Sequence, residues 1–159
     1  MKGLPDLGAR GEGWVVLQVV LLILLVLAGL LAGDAWGDPL AVLTTLTGVA
    51  LLLAAASLVG RGFLDLGRNL TPVPRPRADA TLVETGVYRH VRHPLYGGII
   101  VGSFGFGLLM ASPLALLLAC VVAVFFSLKS RREEAWLLDH YPGYAAYMAG
   151  TRRFIPWLH

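Results

Sequence analysis

Long uncharged runs, separated by short clusters of polar residues, set the outline of this chain. Glu12 and Asp34 bracket 21 uncharged residues, GWVVLQVVLLILLVLAGLLAG, and Asp38 and Arg61 bracket 22 more, PLAVLTTLTGVALLLAAASLVG. A helix of either length crosses a hydrocarbon core about 30 Å thick. Trp14 and Trp36 flank the first run as interfacial anchors. A third uncharged stretch, Pro94 to Leu128, is too long for one helix and carries Ala111-Ser112-Pro113 at its middle. Proline removes a backbone donor and biases its predecessor away from helix, so a turn belongs there. The pattern predicts two short helices, Leu95–Met110 and Leu114–Leu128, closed into a tight hairpin. Their reach is only about 22–24 Å, short of a full crossing.

Composition strengthens this reading. The 159 residues are 57% hydrophobic and 14% charged, with a mean hydropathy of +0.71. A soluble domain is roughly a quarter charged. The first run is read as a retained helix, because its apolar core outlasts the about 7–15 residues of a secretory signal and no small-x-small cleavage site precedes a soluble body. The fold class expected is an all-α membrane protein of about four transmembrane helices in one domain, residues 1–159, with no internal repeat.

Charge then fixes an orientation. Lys2 and Arg10 precede the first span; Arg61, Arg68, Arg75, Arg77, Arg89 and Arg92 lie between the second and third; Lys129, Arg131, Arg132, Arg152 and Arg153 follow the fourth. An up-down-up-down path gathers all 13 basic residues on one side. By the positive-inside rule that side, with both termini, faces the cytoplasm. The isoelectric point of 9.4 is thus a topology signal and no nucleic-acid partner is expected. Cys120, the one cysteine, can form no intramolecular disulfide and reads as a packed apolar thiol.

Two blocks project on the basic side: a loop, Gly60–His93, and a tail, Lys129–His159. Prolines at 72, 74 and 76 give the loop an extended path, either a stiff connector or a strap that closes a pocket. In the tail, Ser130 to Leu138 continues the fourth helix, Tyr141-Pro142-Gly143 ends it, and Tyr144 and Tyr147 share one face of a short helix.

Chemistry concentrates in two polar clusters. VRHPLYGG places Pro94 at a helix start, where its missing donor costs nothing. That start, beside Arg92 and His93, points free N–H groups and a positive dipole end at the basic side, as an anion site for carboxylate or phosphate would. Tyr96 lies one turn inside, and Gly97, Gly98 and Gly102 permit close approach by either a helix or a ligand. The second cluster is Arg131-Arg132-Glu133-Glu134, adjacent to the first if the hairpin closes. Its two carboxylates project about 100° apart on a helix, so one can pair with an arginine while the other faces a ligand.

These motifs resemble the integral-membrane methyltransferases that include isoprenylcysteine carboxyl methyltransferase and phospholipid N-methyltransferases. Arg92, His93, Pro94, Tyr96 and Gly98 match an Arg-His-Pro-x-Tyr-x-Gly signature, and Glu133 and Glu134 match a downstream Glu-Glu pair. LGRNLTPVPRP, LVETGVYRHVRHP and EEAWLLDHYPGYAAYMAGTRRFIP are similar to bacterial members, so the likeness runs from about Arg61 to Pro156. Val87 departs from the Gly-Pro-Tyr run of many members.

The resemblance implies S-adenosylmethionine as methyl donor, S-adenosylhomocysteine as product, and a cofactor pocket closed by the cytoplasmic loop and tail. It implies cofactor binding by Arg92, His93, Pro94, Tyr96, Gly98, Glu133, Glu134, Tyr144 and Tyr147, acceptor binding by Asn69, Arg89 and Arg153, and a catalytic role for Glu134 (His93 is the other candidate where an amine acceptor must lose a proton), with no metal. It further implies a lipophilic acceptor entering from the bilayer of a bacterial cytoplasmic membrane. Carboxyl O-methylation like that of isoprenylcysteine is the leading expectation; phospholipid N-methylation and small-molecule S-methylation are the enzymatic alternatives. A nicotinamide-dependent membrane reductase is disfavoured because no Gly-rich dinucleotide motif is present. A non-enzymatic membrane scaffold is the remaining class.

Overall fold

A computed structural model describes residues 4–33, 37–76 and 79–155; Lys2, Asp34, Trp36, Arg77 and Pro156 lie outside the described residues. Five helices form: α1 (Glu12–Leu31), α2 (Asp38–Leu66), α3 (Pro94–Leu109), α4 (Pro113–His140) and α5 (Tyr144–Gly150). Among the described residues no strand forms, only an isolated parallel bridge between Val91 and Arg152.

Helices α1, α2 and α4 are long and apolar enough to cross a membrane, whereas α3 has 16 residues. The chain is therefore the all-helical membrane protein its sequence predicts, but length supports three spans and leaves α3 as a shorter apolar helix. The helix expected over Leu114–Leu128 and its expected continuation through Leu138 form one helix of 28 residues, Pro113–His140. KSRREEAW simply continues the apolar helix, because nothing in it breaks the backbone.

Local signals mark these boundaries. Ser112 caps α4 by accepting from Ala115 N at 3.2 Å, with Pro113 just inside the helix. The same hydroxyl donates to Ala28 O at 3.0 Å, tying the α3–α4 turn to the far end of α1. Ala111 takes a left-handed conformation, φ 49°, to reverse the chain between the two helices.

Neighbouring helices are antiparallel and lie in the order α1, α4, α3, α2. Trp14 and Phe125, 5.7 Å between ring centroids, join α1 to α4 together with Phe126, Val122 and Leu25. Trp14 is consequently buried, its indole donating to Pro5 O at 3.2 Å, and is not the exposed interfacial anchor its position suggests. Cys120 is also corrected: it is exposed on the outer face of α4 with Leu117, Val121 and Val124.

Helices α2 and α3 meet through backbone. A Cβ on Gly105 would lie 2.9 Å from Gly48 O and 3.1 Å from Leu52 N, while one on Gly98 would lie 2.5 Å from Val59 Cγ2. Small residues at such crossings let helices pack without side chains between them. Gly105→Val should separate α2 from α3 and lower stability by about 1–3 kcal/mol, the usual cost of overpacking, which thermal unfolding in detergent would register.

This register brings the segment before α1, the loop after α2 and the tail after α4 to one basic end. Asp6 pairs with Arg132, whose guanidinium lies 4.3 Å from the Trp136 ring. Arg75 donates to Ala9 O at 3.0 Å, and Pro74 is buried against Gly11. The prolines thus form a strap across the basic end.

Candidate functional site

Beneath the strap lies a cavity of about 540 Å³, within the roughly 300–1,000 Å³ of small-molecule sites. One flank is polar: Arg92, His93, Tyr96, Lys129, Glu133 and Tyr144. The other is apolar, with Val59, Phe63 and Leu66 from α2 and Leu70 beyond it. Residues 71–74 and 80–83 complete its cover.

The tail builds the polar flank by pairing with the segment ahead of α3. Arg92 N donates to Arg152 O at 2.8 Å, His93 N to Arg153 O at 2.9 Å, and Arg152 N to His90 O at 3.0 Å. A side chain on Gly97 would overlap the Phe154 carbonyl. The close approach that Gly97 allows is therefore used by the tail, and that of Gly98 by α2, not by a ligand.

The two carboxylates separate in role as their helical spacing suggests. Glu134 is fully buried and forms a knot with three groups: Arg92 Nε at 2.9 Å, Arg153 Nη2 at 2.8 Å and His93 Nε2 at 3.3 Å. Arg92 Nη1 also donates to Met148 O at 3.0 Å and to Thr151 O. Glu134 does not line the cavity; it secures α3, α4 and the tail behind the wall. Glu133 does line it, and its Oε2 accepts from Tyr96 Oη at 2.5 Å. Glu133 Oε1 accepts no hydrogen bond from the described residues.

His93 is 5% exposed and stacks parallel on Tyr96, ring centroids 5.3 Å apart. Its Nε2 sits near Glu134 without hydrogen-bond alignment and has no hydrogen-bond partner among the described residues. An orphaned buried nitrogen is costly unless something else uses it.

Tyrosines close the remaining side. Tyr144 and Tyr147 share the buried face of α5, ring centroids 5.6 Å apart, and both line the cavity. Tyr147 Oη donates to Tyr88 O at 2.7 Å. Tyr88 is placed by a 3-10 turn, Gly86–Arg89, that Asp65 anchors by accepting from Val87 N at 2.6 Å. Burial pushes the Tyr88, Tyr144 and Tyr147 phenols above their ordinary range, with nearby Glu133 adding to the shift for Tyr88 and Glu134 for Tyr144. They stay neutral donors at physiological pH. Tyr147→Phe should cost about 1 kcal/mol and loosen the turn, visible as faster amide exchange over residues 86–91.

Of the residues singled out from sequence, Arg92, His93, Tyr96, Glu133, Tyr144, Tyr147 and Asn69 line the cavity. Asn69 holds the strap, accepting from Thr81 N at 3.0 Å. Pro94, Gly98, Glu134 and Arg153 support it from behind, and Arg89 is exposed away from it. Lys129, Gln18 and Tyr88 line it without having been singled out. Gln18 had a signal: it is the one polar side chain of the first uncharged run, and such residues usually face a bundle interior.

Comparison with known proteins gives this geometry a family. Residues 43–143 match the phospholipid methyltransferase model. The chain belongs to that family. Among curated relatives it is 31% identical over 135 residues to the cobalt-zinc-cadmium resistance protein CzcN of Cupriavidus metallidurans, covering 84% of this chain and 59% of that protein. It is 32% identical over 137 residues to the nickel-cobalt-cadmium resistance protein NccN of Alcaligenes xylosoxydans xylosoxydans, covering 84% and 60%. The protein-S-isoprenylcysteine O-methyltransferase of Saccharomyces cerevisiae is 38% identical over 68 residues, 42% of this chain and 28% of that one. The chain thus spans about three fifths of the two resistance proteins. The integral-membrane methyltransferase resemblance of the sequence is borne out at the level of family.

Proposed function

We propose that this protein transfers a methyl group from S-adenosylmethionine to a lipophilic acceptor, in the cavity under the proline strap, on the cytoplasmic side of a bacterial membrane. The observation that carries the reading is the two-faced cavity: a polar flank of Arg92, His93, Tyr96 and Glu133 opposite an apolar flank of Val59, Phe63 and Leu66.

The residues present suit a zwitterionic nucleoside. Glu133 Oε1 is free to accept from an amine or ribose hydroxyl, and the His93 ring, its Nε2 3.3 Å from Glu134, lines the cavity beside Tyr96. When bound, S-adenosylmethionine supplies an electrophilic methyl group on a sulfonium. Tyr96 holds Glu133 in one orientation, so alignment is prepared before any ligand arrives. With a ligand in place the apolar flank and strap would shield the reacting groups from water, which favours a transfer that neutralises charge. Glu134, fixed by two arginines, acts in this scheme as a positioning residue for Arg92 and His93 rather than as a group that touches the acceptor.

Purified protein in native lipid, incubated with methyl-labelled donor, tests the proposal. Base-labile label identifies a carboxyl ester, stable label in phospholipid identifies an amine acceptor, and label in a thioether identifies a thiol. Calorimetry with S-adenosylhomocysteine supplies the acceptor-independent arm. No binding heat and no labelled product would overturn the reading and leave the scaffold class.

A further inference from the structure

Lys129 faces the cavity with no ion pair among the described residues, and the nearest acidic side chain on its helix, Glu133, lines the same cavity. Lys129 is 3% exposed and lies on α4 one turn, about 6 Å, further into the apolar part of the helix than Glu133. An ammonium offers three donors, and one is used, toward Gln18 Oε1 at 2.6 Å. Among the described residues Lys129 forms no ion pair. Its remaining contacts are the faces of two rings, Tyr96 at 4.9 Å and Phe126 at 5.6 Å from their centroids.

The other cations of the site are committed. Arg92 and Arg153 both bind Glu134, and Arg132 binds Asp6 away from the cavity. Lys129 is the group left with spare donors, and Gln18 reaches from α1 to aim it. A buried ionisable side chain is expensive unless it is paired, and such groups are ordinarily kept for a ligand or a partner. Glu133, on the same face of α4, is the opposite pole of the cavity.

We infer that Lys129, aimed by Gln18, is the specificity-determining cation of the cavity and selects a lipophilic acceptor that carries an anionic head group, carboxylate or phosphate. The inference rests on the methyl-transfer reading for what happens to that acceptor, but the recognition itself needs no donor. Two donors of the ammonium pair with the anion, the third stays on Gln18, and the tail of the acceptor runs along Val59, Phe63 and Leu66. Head groups that are neutral or cationic leave the ammonium unpaired and are rejected.

The test is equilibrium binding to the full chain in nanodiscs of neutral lipid, using three probes: N-dodecanoylglycine, its neutral amide N-dodecanoylglycinamide, and dodecyl phosphate. Wild type should bind at least one anionic probe about tenfold or more tightly than the amide, the range of a charge-assisted hydrogen bond. The two anionic arms separate carboxylate from phosphate. Lys129→Met should abolish the preference while leaving amide affinity unchanged, Lys129→Arg should keep most of it, and Gln18→Leu should weaken it. S-adenosylhomocysteine affinity should move less than twofold in Lys129→Met. No anion preference in wild type, or an equal preference in Lys129→Met, overturns the inference. So does a loss confined to S-adenosylhomocysteine, which would assign Lys129 to the donor. If Lys129→Met does not fold, Lys129→Arg and Gln18→Leu carry the same comparison. Anion preference without any S-adenosylhomocysteine binding would keep this inference and sink the methyl-transfer reading instead.

Discussion

Replacing Glu134 with alanine should destabilise the protein by about 3–5 kcal/mol, the cost of stranding a buried charge by removing its partner. Arg92 and Arg153 both converge on this carboxylate at 2.9 and 2.8 Å, and it is the buried Arg92 that is stranded, since Arg153 is 28% exposed and can turn to water. Arg92 is buried, so the loss cannot be met by turning outward, and Thr151, Met148 and the tail backbone depend on its position. The expected result is a large drop in unfolding midpoint in detergent, with proteolysis entering first at the tail beyond His140. Glu134→Gln keeps the shape and some hydrogen bonds but not the charge, so it should fall between alanine and wild type. Loss of ligand binding would follow as a consequence of the opened wall. A catalytic carboxylate would behave in the opposite way: Glu134→Gln would fold with wild-type stability and lose only turnover.

The sequence carried the helices well and the partners of individual side chains poorly. Uncharged runs between Glu12, Asp34, Asp38 and Arg61 mark α1 and α2 because hydropathy and length alone decide them. The α3–α4 turn was legible from Ala-Ser-Pro, since local backbone chemistry forces it. The extension of α4 beyond Leu128 was legible as well, because KSRREEAW holds no helix breaker and Tyr141-Pro142-Gly143 supplies the stop. Trp14 was misplaced because a tryptophan at a span's end looks the same facing lipid or facing Phe125; only the antiparallel seat of α1 on α4 decides. Cys120 was misplaced for the converse reason, as an apolar helix in a membrane is exposed on one side without changing composition.

At the site, spacing showed that Glu133 and Glu134 must diverge, and the structure supplies which one pairs and which faces the cavity. Lys129 was hidden by its own plausibility as a topology charge. Its meaning depends on Gln18, 111 positions earlier, and no local pattern encodes that contact.

Glu133→Gln should leave stability near wild type and weaken S-adenosylhomocysteine binding by about 1.5–3 kcal/mol, the worth of a hydrogen bond to a charged group. The contrast with Glu134 follows from surroundings, not from residue type. Glu133 sits at the cavity wall with one oxygen on Tyr96 and the other unpaired, and an amide can still accept from Tyr96. No arginine is stranded by the change, because none pairs with Glu133 among the described residues. What the amide cannot do is balance an ammonium, so the deficit should fall on ligands that carry the donor's amine. The control is adenosine, which has the ribose and base without the amino acid. If Glu133 meets the amine, Glu133→Gln should cost adenosine nothing and S-adenosylhomocysteine the full amount. If it meets the ribose, both should weaken together. Unchanged affinity for both, in a protein that binds them, would remove Glu133 from the ligand site and leave it as a hydrogen-bond partner for Tyr96. Calorimetry with the two ligands on wild type and variant gives the answer without any acceptor being known.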